Sequence, residues 1–260
     1  MQSRVFFSIT ILLLVLILAF TGCMTVSDVQ EPGPVTEITT PTIVPTTEVS
    51  EIETFTPSPT PTAISLTSED INLHFMDVAF GSGSIYLVRL PPSSKRTTIS
   101  LNAGTSSDRQ IIESFAVKFN KLSQSNMLFE NVKEGQSGDI RVKFLSPEGM
   151  KAVDLDGEMD WLNREFYCDG VICAKIKGYD IYLNSEMVGE QRTHYILRSL
   201  LYTLGFKGDS LQYQDSIFAY PENSVTELSF LDEKAIQVMY GLGMYDGMTV
   251  YDVKGVLFFK

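Results

Sequence analysis

The stretch HYILRSLLYTLGFKGDS (194–210) carries the reading of this chain. Ile196, Leu197, Leu200, Leu201 and Leu204 share one broad helical face, and Gly205 follows as a helix stop. The spacing predicts a helix over 189–204. A face that wide must bury itself against another layer of structure. Arg198, Ser199 and Tyr202 sit in the second half of this helix, and Asp209 lies in the turn beyond it. Glu190 and His194 stand one helical turn apart nearer its start, on a common face.

Working outward, Ser229 and Asp232 open a further helix that carries Leu231, Ala235, Val238 and Met239 and stops at Gly241. Upstream, Thr105-Ser-Ser-Asp108 offers capping chemistry, and Ile111, Phe115, Phe119 and Leu122 predict an amphipathic helix over 107–123. Residues 139–145 alternate: Ile140, Val142 and Phe144 face one way, Arg141 and Lys143 the other, as in a half-buried strand. Val171–Lys177 and Asp180–Asn184 read as a hairpin joined at Gly178-Tyr179. Ile85–Leu90 and Thr97–Leu101 read as strands separated by a Pro91-Pro92-Ser-Ser turn. His74, between Leu73 and Phe75, reads as structural, and Trp161, Phe166 and Tyr167 as hairpin core. Helices placed among and after strands, without an internal repeat, indicate an α+β fold with one mixed sheet packed by helices.

The N-terminal region has another character. Arg4 precedes the apolar run Val5–Phe20, too short for the ~20 residues of a spanning helix and suited to a signal-peptide core. Thr21-Gly22-Cys23 then resembles the lipobox of prokaryotic lipoproteins, with Phe20 where Leu is usual. Lipid on Cys23 would hold the chain to the cell membrane on its extracytoplasmic face; an uncleaved anchor with an unmodified Cys23 is the alternative. Residues 24–68 are rich in Thr, Pro, Ser and Glu, hold seven of the 11 prolines, and belong to a span without Lys or Arg from Val5 to Val88. Proline and acidic self-repulsion predict a disordered, extended stalk. The expected organisation is therefore signal peptide 1–22, stalk 23–68 and folded domain 69–260.

Composition excludes several functions. The 260 residues carry a formal net charge of −12 without a basic stripe, which argues against a nucleic-acid partner. Two His and three Cys leave no room for a multi-Cys zinc module or an iron–sulfur cluster. With Cys23 lipidated, Cys168 and Cys173 remain as a pair outside the cytoplasm, which suggests a disulfide pinning a hairpin tip. Free thiols or a redox pair are the alternatives, although redox sites more usually space their cysteines two residues apart. Gly81-Ser-Gly-Ser84 lacks the lysine of a phosphate loop, and Asp154, Asp156, Glu158 and Asp160 lack the full calcium-loop pattern. Those four carboxylates read as a solvated loop, with a low-affinity cation site as the alternative.

The order of motifs in the C-terminal third resembles the active-site region of matrixin-like metzincin proteases. Leu204-Gly205 matches the end of the zinc helix, Gly208-Asp209-Ser210 the ligand loop, Asp215-Ser216-Ile217-Phe218 the following turn, and Leu228-Ser229 with Asp232 the start of the last helix. The chain is still more similar to a family of prokaryotic lipoproteins of unassigned function that shares this framework without its zinc ligands. VAFGSGS (78–84), Thr105-Ser-Ser-Asp108, DIRVKFL (139–145) and YGLGMYDGM (240–248) carry that resemblance. It implies a zincin-like single domain.

Metzincin chemistry needs two His one helical turn apart, a Glu beside the first, and a third ligand from the next loop. Arg198 and Tyr202 stand at the His positions, Ser199 at the Glu position and Asp209 at the third-ligand position. Arginine stays protonated, and serine is no general base. The resemblance thus implies a catalytically inactive domain without a cofactor. It further suggests an Arg198–Asp209 clamp in place of the metal, with Tyr202 donating a hydrogen bond, against a solvated Arg198 as the alternative. The expected partners are the membrane, through lipid, and a protein, peptide or envelope component. A peptide could be taken by strand addition at the sheet edge. The alternatives are a hydrolase or metal site built from Glu190 and His194, and a structural envelope protein.

Overall fold

The computed structural model describes residues 66–81, 84–90, 97–123, 129–131, 138–156, 162–221 and 223–258. All fall within the compact unit 61–260. The signal-peptide, Cys23 and most stalk expectations lie outside these residues, as do Pro91-Pro92, Glu158, Asp160 and Trp161.

Among the described residues, six strands form one mixed sheet: β1 (Thr97–Asn102), β2 (Phe129–Asn131), β3 (Ile140–Leu145), β4 (Arg164–Cys168), β5 (Val171–Lys177) and β6 (Asp180–Asn184). Their spatial order is β2-β1-β3-β6-β5-β4. β2, β1, β3 and β6 run parallel, and β5 is antiparallel to both β6 and β4. β3 sits centrally, with Val142 opposite both Leu101 and Ile181. Its alternation survives intact: Ile140, Val142 and Phe144 are buried, while Arg141 and Lys143 meet Asp180 outside.

Among the described residues, the sheet is accompanied by α1 (Ser68–Phe80), α2 (Ser106–Ser123), α3 (Pro147–Ala152), α4 (Gly189–Thr203), α5 (Phe230–Tyr240) and α6 (Val250–Phe258). The predicted helices correspond to α2, α4 and α5. Reciprocal hydrogen bonds join Thr105 and Asp108 at the start of α2, and Ser229 and Asp232 at the start of α5. α4 stops where expected: Gly205 has φ +116°, and a Cβ there would lie 1.9 Å from the Val88 carbonyl oxygen. Only glycine satisfies both constraints. Gly208 packs as tightly, its amide donating to the Val78 carbonyl at 2.9 Å, which fixes the loop after α4 against α1.

Two expectations need correction. Ile85–Leu90 forms no strand; it makes one bridge, Tyr86 with Thr249. Only Leu87 is buried, while Ile85 and Tyr86 face solvent, so the segment has no apolar face to set into a sheet. Tyr167 is half exposed rather than core, because its hydroxyl turns back to Glu165 at 2.5 Å. α1 starts at Ser68, with Thr67 and Asp70 capping it reciprocally. Cys168 and Cys173 are disulfide-bonded across the β4–β5 turn, where Asp169 and Gly170 take positive φ.

Candidate functional site

The second half of α4 and the loop after it bring Arg198, Ser199, Tyr202 and Asp209 to one place, beneath β4. The helix supplies the first three on neighbouring turns. The Gly205 stop and the Gly208 contact fold the loop back so that its carbonyls point at Arg198. Arg198 is 3% exposed. Its guanidinium donates to the Phe206 carbonyl at 3.2 Å, the Gly208 carbonyl at 2.6 Å and Asp209 Oδ1 at 2.8 Å. Burial presses its pKa down and Asp209 opposes that, but a guanidinium starts so high that it stays charged. Its flat faces lie near Phe166 and Phe218, with ring centres 5.2 and 4.8 Å from Cζ.

Arg198 and Asp209 therefore meet, but Tyr202 does not join them as expected. Its hydroxyl donates to the Asn163 carbonyl at 3.2 Å, at the foot of β4. The geometric reason is the edge-on contact of Phe166 with the Tyr202 ring, which points the phenol toward β4. Burial raises the Tyr202 pKa, so the side chain is a phenol and not a phenolate. Asp209 is shared: its Oδ2 accepts from Arg164 Nη2 at 2.8 Å. Ser199 is fully buried, and its Oγ has no hydrogen-bond partner.

These side chains do not fit a zinc ion. One position carries a permanent cation, another a neutral phenol, and the only carboxylate is already held by two guanidiniums. Among the described residues no group of three or more His, Cys, Asp and Glu converges. Glu190 and His194 are not brought together either. His194 is buried, and its Nδ1–H donates to the Val225 carbonyl at 2.8 Å; Glu190 is exposed, and no hydrogen bond joins the two among the described residues. Burial, with the Val225 bond opposing it and the Arg198 charge adding to it, lowers the His194 pKa to about 4.

Two tyrosines of α4 reach the backbone at either end of β4. The Asn163 and Tyr167 carbonyls accept hydrogen bonds from the Tyr202 and Tyr195 hydroxyls of α4. Phe166, Tyr195 and Tyr202 are all buried between them.

Comparison with known proteins gives a limited result. No protein-family model and no curated protein matches the chain. Two solved structures of myroilysin do match. One has a TM-score of 0.36 at 13% identity, over 58% of this chain and 94% of that one. The other has a TM-score of 0.37 at 14% identity, over 62% and 88% respectively. Neither myroilysin match bears on the chemistry of the Arg198 site.

Three groups of the site escaped the sequence reading. Arg164 is 45 residues from its partner Asp209, and no local pattern marks it. Lys207, inside the quoted stretch, is 7% exposed; its Nζ has no hydrogen-bond partner and lies 3.8 Å from the centre of the Tyr202 ring. Burial, reinforced by Arg198, pulls the Lys207 pKa down to about 7. The third is the network around Asp232, which accepts from His74 Nε2 at 2.9 Å, Ser216 Oγ at 2.6 Å and the Ile217 amide at 3.0 Å. Burial alone would raise the Asp232 pKa, but these donors outweigh it and hold the carboxyl below its usual range. The network ties α1, the 215–218 turn and α5 together, and gives His74 the structural role its apolar neighbours suggested.

Proposed function

We propose that this chain is a lipid-anchored, extracytoplasmic binding protein whose metzincin-like domain performs no protease chemistry. The observation that carries the reading is the Arg198–Asp209 pair, at two of the positions where the resembled proteases hold zinc, with Arg164 on the other carboxylate oxygen. A buried guanidinium repels a metal cation, and its three acceptors make it part of the fold. The lipobox-like Thr21-Gly22-Cys23 and the Pro- and Thr-rich segment after it support anchoring outside the cytoplasm. A protein, peptide or envelope component is the ligand class that such a tethered, non-catalytic domain serves.

The test is metal content. The full chain, purified without chelator, is supplied with zinc and dialysed, and metal per chain is measured by mass spectrometry. The expected value is below about 0.1 zinc per chain. Retention of about one zinc per chain, lost on His194→Ala, would overturn the reading in favour of a metallohydrolase. Anchoring is tested separately: Cys23→Ala should release the chain from the membrane fraction and abolish incorporation of labelled fatty acid.

A further inference from the structure

A trough beside the first half of α4 takes no part in the site above. Two hollows, of about 450 and 820 Å³, lie between α2, α4 and residues 226–228. Both have Ile111, Thr193 and Glu227 in their walls, so they form one continuous depression. Ile111, Phe115, Leu197 and Leu228 give it an apolar floor. Its rim carries Glu190 and Glu227, both exposed and without an ion-pair partner among the described residues.

The cations along the trough are already matched. Arg192 makes a two-pronged contact with Asp108, at 2.7 and 2.8 Å, and Lys118 pairs with Glu233 at 2.8 Å. The unmatched charge is therefore negative and lies over an apolar floor. That combination suits a ligand presenting apolar side chains beside cations. The chain's own upstream segment is the wrong occupant: it has no Lys or Arg from Val5 to Val88, but carries Asp28, Glu31, Glu37, Glu48, Glu51 and Glu53. A second copy, with a net charge of −12, brings like-charge repulsion.

We infer that this trough docks a peptide segment of another protein in which Lys or Arg residues flank apolar side chains. The inference rests on the reading of the chain as a binding protein, and names the surface and the ligand chemistry.

The probe is a fluorescent peptide of about ten residues alternating Lys and Leu, titrated into the full chain and followed by anisotropy. It should bind saturably. Replacing its Leu residues by Ser, or its Lys residues by Glu, should weaken binding at least about tenfold. The double variant Glu190→Lys/Glu227→Lys should lose at least about tenfold, while Glu69→Lys/Glu148→Lys, with the same net charge, should stay within about twofold. Circular dichroism checks that both variants are folded. Absent saturable binding, equal losses in the two double variants, or indifference to the Leu-to-Ser change would each overturn the trough. Mass spectrometry of the incubated peptide separates the two readings. Cleavage would overturn the non-catalytic reading and leave the trough to be judged by the variants; failure to bind would overturn the trough and leave the non-catalytic reading standing.

Discussion

Along α4, the turn bearing Glu190 and Thr193 borders an open trough, while the turns bearing Arg198 and Tyr202 are sealed beneath β4. The two regions handle charge differently. In the sealed half Arg198 is enclosed, so it needs acceptors inside the protein: it takes two carbonyls and a carboxylate from a single loop. In the open half a tight Arg192–Asp108 pair anchors the base, and Glu190 and Glu227 are left to water. The difference teaches that one helix can separate its tasks along its length. Buried ionic contacts set the loop geometry at one end, and unmatched rim charge remains available for recognition at the other.

The strongest way to break this comparison is Arg198→Ala. It removes three hydrogen bonds and leaves two buried carbonyls without a donor, so denaturant unfolding should show a loss of about 3–5 kcal/mol. Wild-type stability in that variant would mean that the sealed half is not held by its ionic network. His194 sits between the two regions, bonding the Val225 carbonyl next to the trough wall. Its folded pKa of about 4 lies below the ordinary 6.5, so between those values the unfolded chain binds the extra proton. Stability should fall as pH drops through that window, by about 3 kcal/mol in all. His194→Asn, which can still donate to Val225, should flatten this part of the stability curve. Parallel curves for the two proteins would refute the assignment.

Periodicity made much of this architecture legible. The alternation of β3 and the apolar faces of α2, α4 and α5 are local patterns, and the residues they mark are buried except for Ile111 and Val238, which are partly buried. Arg198 and Asp209 could be paired on paper because they share one short stretch on either side of a glycine stop. Arg164 could not, because β4 reaches Asp209 only through the sheet. α1 was missed although Ile71, Phe75, Val78 and Ala79 have helical spacing, because its cap at Thr67 merges with Thr- and Pro-rich sequence. Ile85–Leu90 misled in the opposite sense: its run of β-favouring apolar residues suggests a strand, but Arg89 bonds the Met244 carbonyl and Asp246, and the backbone at Leu87 pairs with Gly247 and Met248 outside the sheet. The trough was invisible to periodicity, since it is the gap between two helices far apart in sequence.

Lys207 sharpens the comparison with a smaller effect. It belongs to the sealed half but breaks that half's rule, for its Nζ has no acceptor and only the face of Tyr202. Its folded pKa of about 7 lies below the ordinary 10.5, so between those values the unfolded chain binds the extra proton. Stability contributed by this residue therefore rises from pH 7 toward 10.5, and the cost of enclosing the ammonium is full below pH 7. Lys207→Met keeps the length of the side chain and removes the charge. Part of the gain is offset by the lost contact with Tyr202, so the variant should be more stable near pH 7 by about 1–3 kcal/mol. That advantage should shrink steadily toward pH 10. An advantage independent of pH would show that Lys207 keeps its ordinary pKa on folding, whereas a loss of stability would show that the aromatic contact outweighs desolvation. Only the expected result, a gain that fades with rising pH, shows that enclosure lowers the Lys207 pKa and that the ammonium is costly in the sealed half.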